Sequence, residues 1–354
     1  MKTIKQTISQ LGIALLMLFT ITSCMDDAPQ IPLGEFEKGL LIMNEGAFGA
    51  NDGEVYHYDP ASGEIKADIF EKKNGRPFAG LIQDMVASEG RLYLVANTGK
   101  VEIVDPRDFA SIGAVSSGLD ISRSLVTANQ KVYISDWGPY DANFASPESY
   151  IAVVGQLDGG TITDKIPVSS RPEGMYVVGN QLLVACTAAQ KMDVISLNTE
   201  ERSKSLDVKG GPIRFFEAGG NLYLFSRDAS KVYFHEINRS NAEIIGTKTV
   251  NLAMSTFNFT LTENAEMLII TSTGWPEFND AIASVNINSG EVLSASIFTG
   301  SGLYGIGYDA DRREIYVADN NGFQGNGTVI VLDQSGQQQK TLAVGRGPSG
   351  FMFK

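Results

Sequence analysis

Seven times along this chain a tight polar turn runs into a short apolar triplet. The fullest copy lies in Arg312 to Asn321, where the triplet is Ile315-Tyr316-Val317. The others are Leu40-Leu41-Ile42, Leu92-Tyr93-Leu94, Val132-Tyr133-Ile134, Leu182-Leu183-Val184, Leu222-Tyr223-Leu224 and Leu268-Ile269-Ile270. Their first residues are spaced 52, 40, 50, 40, 46 and 47 apart, the period of a four-stranded propeller blade.

Within each repeat the sequence divides into four short apolar strokes separated by Gly, Asn, Asp or Ser turns, which is how hairpins are punctuated. The second stroke is apolar at consecutive positions, as a strand buried on both faces requires, whereas a sheet with one wet face would alternate. After the N-terminal segment no run of ten or more residues carries a clean helical period. The first repeat lacks an innermost strand, and the last is followed by a surplus one in Gly345 to Lys354. If the surplus strand fills the gap, the ring closes without open edges. The expected fold is all-β: a seven-bladed β-propeller of four-stranded antiparallel blades, closed by the C-terminal strand and spanning residues 37–354.

Residues 1–23 read as an export signal, with Lys2 and Lys5 ahead of an apolar run, Leu11 to Ile21, too short to span a bilayer. The run ends in Ile21-Thr22-Ser23-Cys24, which resembles a bacterial lipoprotein cleavage box. That resemblance implies cutting before Cys24 and acylation of the freed cysteine, an anchor worth about 0.8 kcal/mol per buried CH2. Residues 24–36, with Pro29 and Pro32, then form the lipidated tether. Asp26 and Asp27 resemble the acidic signal that sends lipoproteins of the Bacteroidota to the outer face of the outer membrane; the plainer reading is part of a flexible tether. Formal net charge is -13, and no basic run offsets it, so nucleic acid is a poor partner. Cys186 is the second of only two cysteines, so acylation of Cys24 leaves no intramolecular disulfide.

The blades resemble the YncE-like propellers, with Arg171 to Val177, Gly211 to Phe216 and Gly347 to Phe353 in the innermost strands, Arg91 to Asn97 and Glu314 to Asn320 in the second, and turns such as Tyr58-Asp59-Pro60-Ala61-Ser62-Gly63. No Gly-His to Trp-Asp pattern of WD40 blades is present. The stretch Leu40 to Asp59 also resembles the first blade of the surface-exposed propeller lipoproteins of Bacteroidota that sit over TonB-dependent transporters, among them cobalamin-capturing members. The resemblance implies capture of a nutrient, with cobalamin or another corrinoid as candidate, and a TonB-dependent outer-membrane transporter as partner.

Four long loops between second and third strands are expected on one rim, and they carry Phe48, Trp137, Tyr140, Phe144, Trp275, Phe278 and Phe323 beside Asn51, Asn143, Asn279 and Asn326. Rings and amides together suit a large amphipathic ligand. The competing reading is that some rings fold back to pack their own loops. Arg76, Arg123, Arg171 and Arg214 fall near the starts of innermost strands, where their heads would ring the channel mouth and hold a phosphate or carboxylate, unless acids such as Asp120 or Glu173 pair with them.

Catalysis has little to work with. His57 and His235 are the only histidines, both in third strands, and Cys186 reads as a small buried hydrophobe. Neither a histidine-based metal site nor a dyad is supported, and no cofactor is implied. The loop from Asp319 to Asn326 is the one place considered for a structural Ca2+, although its spacing is not that of an EF-hand. Ligand capture is therefore the expected function; a lactonase-like hydrolase and a protein-binding adhesin or scaffold are the alternatives.

Overall fold

The structure, a computed structural model, describes residues 33–354. The signal segment, Cys24 and most of the tether lie outside the described residues. Seven four-stranded antiparallel sheets follow one another around a ring, as the repeat spacing predicts. The innermost strands are Ile82–Ser88, Ser122–Ala128, Pro172–Val178, Gly211–Ala218, Ser255–Leu261, Leu303–Asp309 and, for the first blade, Pro348–Phe353. This last strand pairs antiparallel with Leu40–Asn44, so both ends of the propeller chain share one sheet.

Each triplet lies on a second strand buried along nearly its whole length; Leu40–Asn44 and Arg91–Ala96 show it plainly. The outermost strands, such as Glu201–Asp207, are mostly exposed. Apolar side chains gather between neighbouring blades in seven clusters, one per junction, including Leu40, Ile42, Tyr316 and Val329 where the last blade meets the first. Two of the triplet tyrosines also tie blades together. Tyr93 donates to Leu157 O at 3.0 Å and Tyr133 to Glu200 Oε1 at 2.8 Å, each reaching the following blade.

Phe36, the last residue of the expected tether, is buried edge-on against His57 and Phe109. One short helix, Ile69–Asn74, joins the first two blades, its N-terminus capped by Asp68.

The rim holding the long loops is fixed by hydrogen bonds between blade-joining segments and the turns after second strands. Glu45 N donates to Gly347 O, Gly53 N to Gly80 O, Trp137 N to Ile121 O, Thr187 N to Arg171 O and Asn320 N to Gly302 O. Buried Asp136 strengthens one such junction by accepting from the backbone N–H groups of Asp120, Ile121 and Gly138.

Candidate functional site

Each innermost strand breaks register with its neighbour at the same level. The breaks fall between Ile82 and Asp84, Ser122 and Ser124, Pro172 and Met175, Pro212 and Arg214, Ser255 and Phe259, and Leu303 and Ile306, with a seventh opposite Pro348 and Gly350. A bulge leaves a residue unpaired and re-aims its side chain. The residues skipped in this way include Gln83, Arg123, Glu173, Phe257 and Tyr304, and all five line a central cavity of about 860 Å3. All seven blades contribute to that cavity, which places it on the propeller axis.

A polar belt runs around its wall. Tyr304 donates to Glu45 Oε2 at 2.7 Å, Gln83 Nε2 donates to the other Glu45 oxygen, Arg123 Nη1 donates to Gln83 Oε1, and Arg123 Nε meets Glu173 Oε2 at 3.2 Å. Five blades are linked by this chain. Burial pushes the carboxyls of Glu45, Asp84 and Glu173 above their usual range, opposed at Glu45 chiefly by the Tyr304 hydrogen bond and at Glu173 chiefly by the Arg123 charge. Asp84 accepts from Ser124 Oγ at 2.6 Å.

Trp137 carries two guanidinium groups over its ring, Arg123 at 4.6 Å and Arg171 at 4.7 Å from the centroid. Such contacts contribute on the order of 0.5–2 kcal/mol each. Its indole N–H is buried and helps stabilise the Glu173 carboxylate, yet makes no hydrogen bond of ordinary geometry.

The rim aromatics divide into two groups. Trp137, Phe278 and Phe323 line the cavity, Phe323 edge-on to Tyr304 at 5.4 Å. Phe48, Phe144 and Trp275 do not, and are 96%, 76% and 84% exposed. Tyr140 stands between the groups, edge-on to Trp137 and to Phe144. The amides stay outside the cavity: Asn51, Asn143, Asn279 and Asn326 are exposed loop or strand-end residues.

Of the four arginines expected at the mouth, Arg123, Arg171 and Arg214 line the cavity. Arg76 does not. It forms a two-pronged pair with Glu102 at 2.8 Å and lies over Phe70, because the helix Ile69–Asn74 occupies the joining segment and carries Arg76 away from the axis. Glu173 pairs with Arg123, while Arg171 Nη2 donates to Phe144 O at 2.7 Å. Asp120 meets Lys165 and Tyr150. Glu45, Gln83, Asp84, Phe257, Phe259 and Tyr304 were not expected at the site; the signal for Glu45 was its place at the start of the first long rim loop, just after the second strand Leu40–Asn44, and for the other five only a place on an innermost strand.

Both histidines are held within the sheets. His57 Nε2 sits 2.7 Å from Lys38 O, and His235 contacts Ser226, Thr247 and Lys209 O. Among the described residues no group of three or more His, Cys, Asp or Glu could hold a metal ion. In the loop considered for Ca2+, Asp319 Oδ1 accepts from Asn321 N and Asn320 Oδ1 from Gly322 N.

The molecule is thus a closed seven-bladed β-propeller with a charged and aromatic axial cavity opening among its long loops. Residues 38–353 match the family described as Domain of unknown function (DUF5074), and the chain belongs to it. No curated protein matches the chain. Among solved structures it is similar to a quinonprotein alcohol dehydrogenase-like protein of Bacteroides thetaiotaomicron, with 14% identity, 90% of this chain and 78% of that one covered, and a TM-score of 0.66. It is also similar to a putative 6-phosphogluconolactonase of Bacteroides uniformis, with 14% identity, 89% and 99% covered, and a TM-score of 0.64. A protein of Bacteroides fragilis described in the same way gives 14%, 89%, 97% and 0.63. At this identity the likeness is one of fold.

Proposed function

We propose that the protein captures a ligand in the axial cavity at its long-loop rim. In this reading acylated Cys24 holds the propeller on the outer face of the outer membrane, beside a TonB-dependent transporter that receives the ligand. The observation that carries the reading is the cavity: about 860 Å3, bulge-aimed polar side chains from successive blades, and Trp137, Phe278 and Phe323 at its mouth. Its volume lies within the range of small-molecule sites, and a few fixed polar groups among rings give such sites their specificity.

A corrinoid is the ligand to try first, on the strength of the first-blade resemblance. Protein spanning residues 25–354 would be titrated with cobalamin and cobinamide, following heat and corrin absorbance. The expected result is one-to-one binding, weakened about tenfold or more by Trp137→Ala, as for a central aromatic anchor. Trp275→Ala, at a position 84% exposed outside the cavity, should change little. No binding by either corrinoid at high micromolar concentration would discard the corrinoid reading.

A lactonase-like hydrolase is the second reading. Its support is the description of two structural neighbours as putative 6-phosphogluconolactonases, and the carboxyls of Glu45, Asp84 and Glu173, raised by burial as acid-base groups often are. Hydrolysis of a phosphogluconolactone, lost in Glu173→Gln, would favour it; absence of turnover would dismiss that substrate.

A further inference from the structure

The chain has twelve arginines, all within the described residues. Nine are ion-paired: Arg76, Arg91, Arg107, Arg123, Arg202, Arg239, Arg312, Arg313 and Arg346. The three without a carboxylate partner among the described residues are Arg171, Arg214 and Arg227, and they fall together in the fourth and fifth blades. Each lies over a ring: Arg171 over Trp137 at 4.7 Å, Arg214 over Phe259 at 4.4 Å, and Arg227 over Phe257 at 4.7 Å.

Arg214 is the most telling. Its side chain is open to the water of the cavity although protein surrounds it on every side, and among the described residues its guanidinium makes no hydrogen bond. The field of Asp84 reaches it, but Asp84 gives its oxygens to Ser124 Oγ at 2.6 Å and Met85 N at 2.9 Å. Five donors in a fixed fork therefore face the cavity unpaired, the geometry that receives a carboxylate or phosphate. Arg171 and Arg214 line the cavity while Arg227 lies outside its wall, and the same wall carries Glu45, Asp84, Glu173 and Asp280, so the place for an anion is local to Arg214.

We propose that the ligand of this cavity is an organic anion whose carboxylate or phosphate is received by Arg214, with its apolar body against Phe257 and Phe259. This rests on the capture reading and names its ligand class. Phe257 and Phe259 line the same cavity, so one molecule reaches rings and guanidinium together.

The test uses anilinonaphthalene sulfonate, a planar organic anion that fluoresces when bound, and phenylnaphthylamine, which has nearly the same body without the charge. The sulfonate should bind one-to-one and be displaced by inorganic phosphate or benzoate, and whichever displaces better identifies the preferred head group. Its Kd should rise about tenfold or more in Arg214→Gln, as loss of a charge-assisted hydrogen bond requires. Arg76→Gln, which alters an arginine outside the cavity, should leave Kd unchanged. An unchanged Kd in folded Arg214→Gln, or equally tight binding of phenylnaphthylamine, overturns the proposal. If Arg214→Gln does not fold, failure of both phosphate and benzoate to displace the sulfonate from the unaltered protein overturns it equally. Corrinoid binding indifferent to Arg214→Gln would sink this inference and leave capture standing; failure of corrinoids and both probes to bind would sink both.

Discussion

Buried titratable residues pull this molecule's stability in opposite directions as pH changes. Burial holds the His235 imidazole down at about 4 against an ordinary 6.5, so the folded protein keeps it neutral while the unfolded chain protonates. Stability from this group is fully present above pH 6.5 and declines as pH falls towards 4, by at most about 3 kcal/mol. Glu54 acts the other way. Burial, then the charge of Asp68, raises its carboxyl from 4.5 to about 7, so the unfolded chain ionises first as pH rises and stability is lost between those values. Relative to the unaltered protein, His235→Gln should gain stability as pH falls from 6.5, and Glu54→Gln should gain as pH rises from 4.5. Urea midpoints across that range check both, and a pH-independent offset in either variant would refute the assigned cause.

The loop that carries Glu45 into the polar belt shows how an element positions the site. Gly46 has φ +90°, and a Cβ there would stand 2.6 Å from Gly53 N, which itself donates to Gly80 O of the joining segment. Gly49 in the same loop has φ +83° but nothing near its missing Cβ. Gly49→Ala should cost about 1–2 kcal/mol, the left-handed penalty alone, with anion-probe binding intact. Gly46→Ala adds a backbone clash, so it should destabilise more and weaken the probe by displacing Glu45 from Tyr304 and Gln83; equal effects in urea melts and probe titrations would contradict this account. The strands and their order were legible in the sequence because two-sided burial writes itself as consecutive apolar residues, and because Pro348 to Phe353 matched a vacancy before Leu40. The site was only partly legible. Trp137 and Trp275 sit in similar aromatic loops, yet one enters the cavity and the other does not, a difference set by how each loop folds back over its rim. Of the belt only Arg123 and its alternative of pairing with an acid such as Glu173 were legible; Glu45, Gln83 and Tyr304 were missed because the contacts run between residues some 40 or more apart, through bulges whose position no local pattern announces.

Across the whole molecule the seven inter-blade clusters form a cycle, so no blade can leave without breaking two apolar interfaces. An open array of the same blades would lose its terminal units one interface at a time. What makes the cycle closed is a single strand. Pro348–Phe353 supplies the inner partner of Leu40–Asn44, Phe351 and Phe353 pack on Tyr316 of the last blade, and Lys354 N donates to Gly39 O at 2.9 Å. Removing residues 348–354 should leave Leu40–Asn44 as an unpaired apolar edge, and such edges recruit other chains. The truncated protein should therefore unfold at lower temperature over a broader transition and associate as its concentration rises. A synthetic peptide of residues 347–354 added in trans should reverse both effects, because the lost free energy lies in strand pairing and the packing of two rings rather than in chain continuity. Scanning calorimetry and sedimentation measure the two together. If the truncated chain melts as sharply as the full one and stays monomeric, closure by the C-terminal strand is not what makes the ring cooperative, and that role must pass to packing between the last and first blades, where Tyr316 meets Leu40 and Ile42.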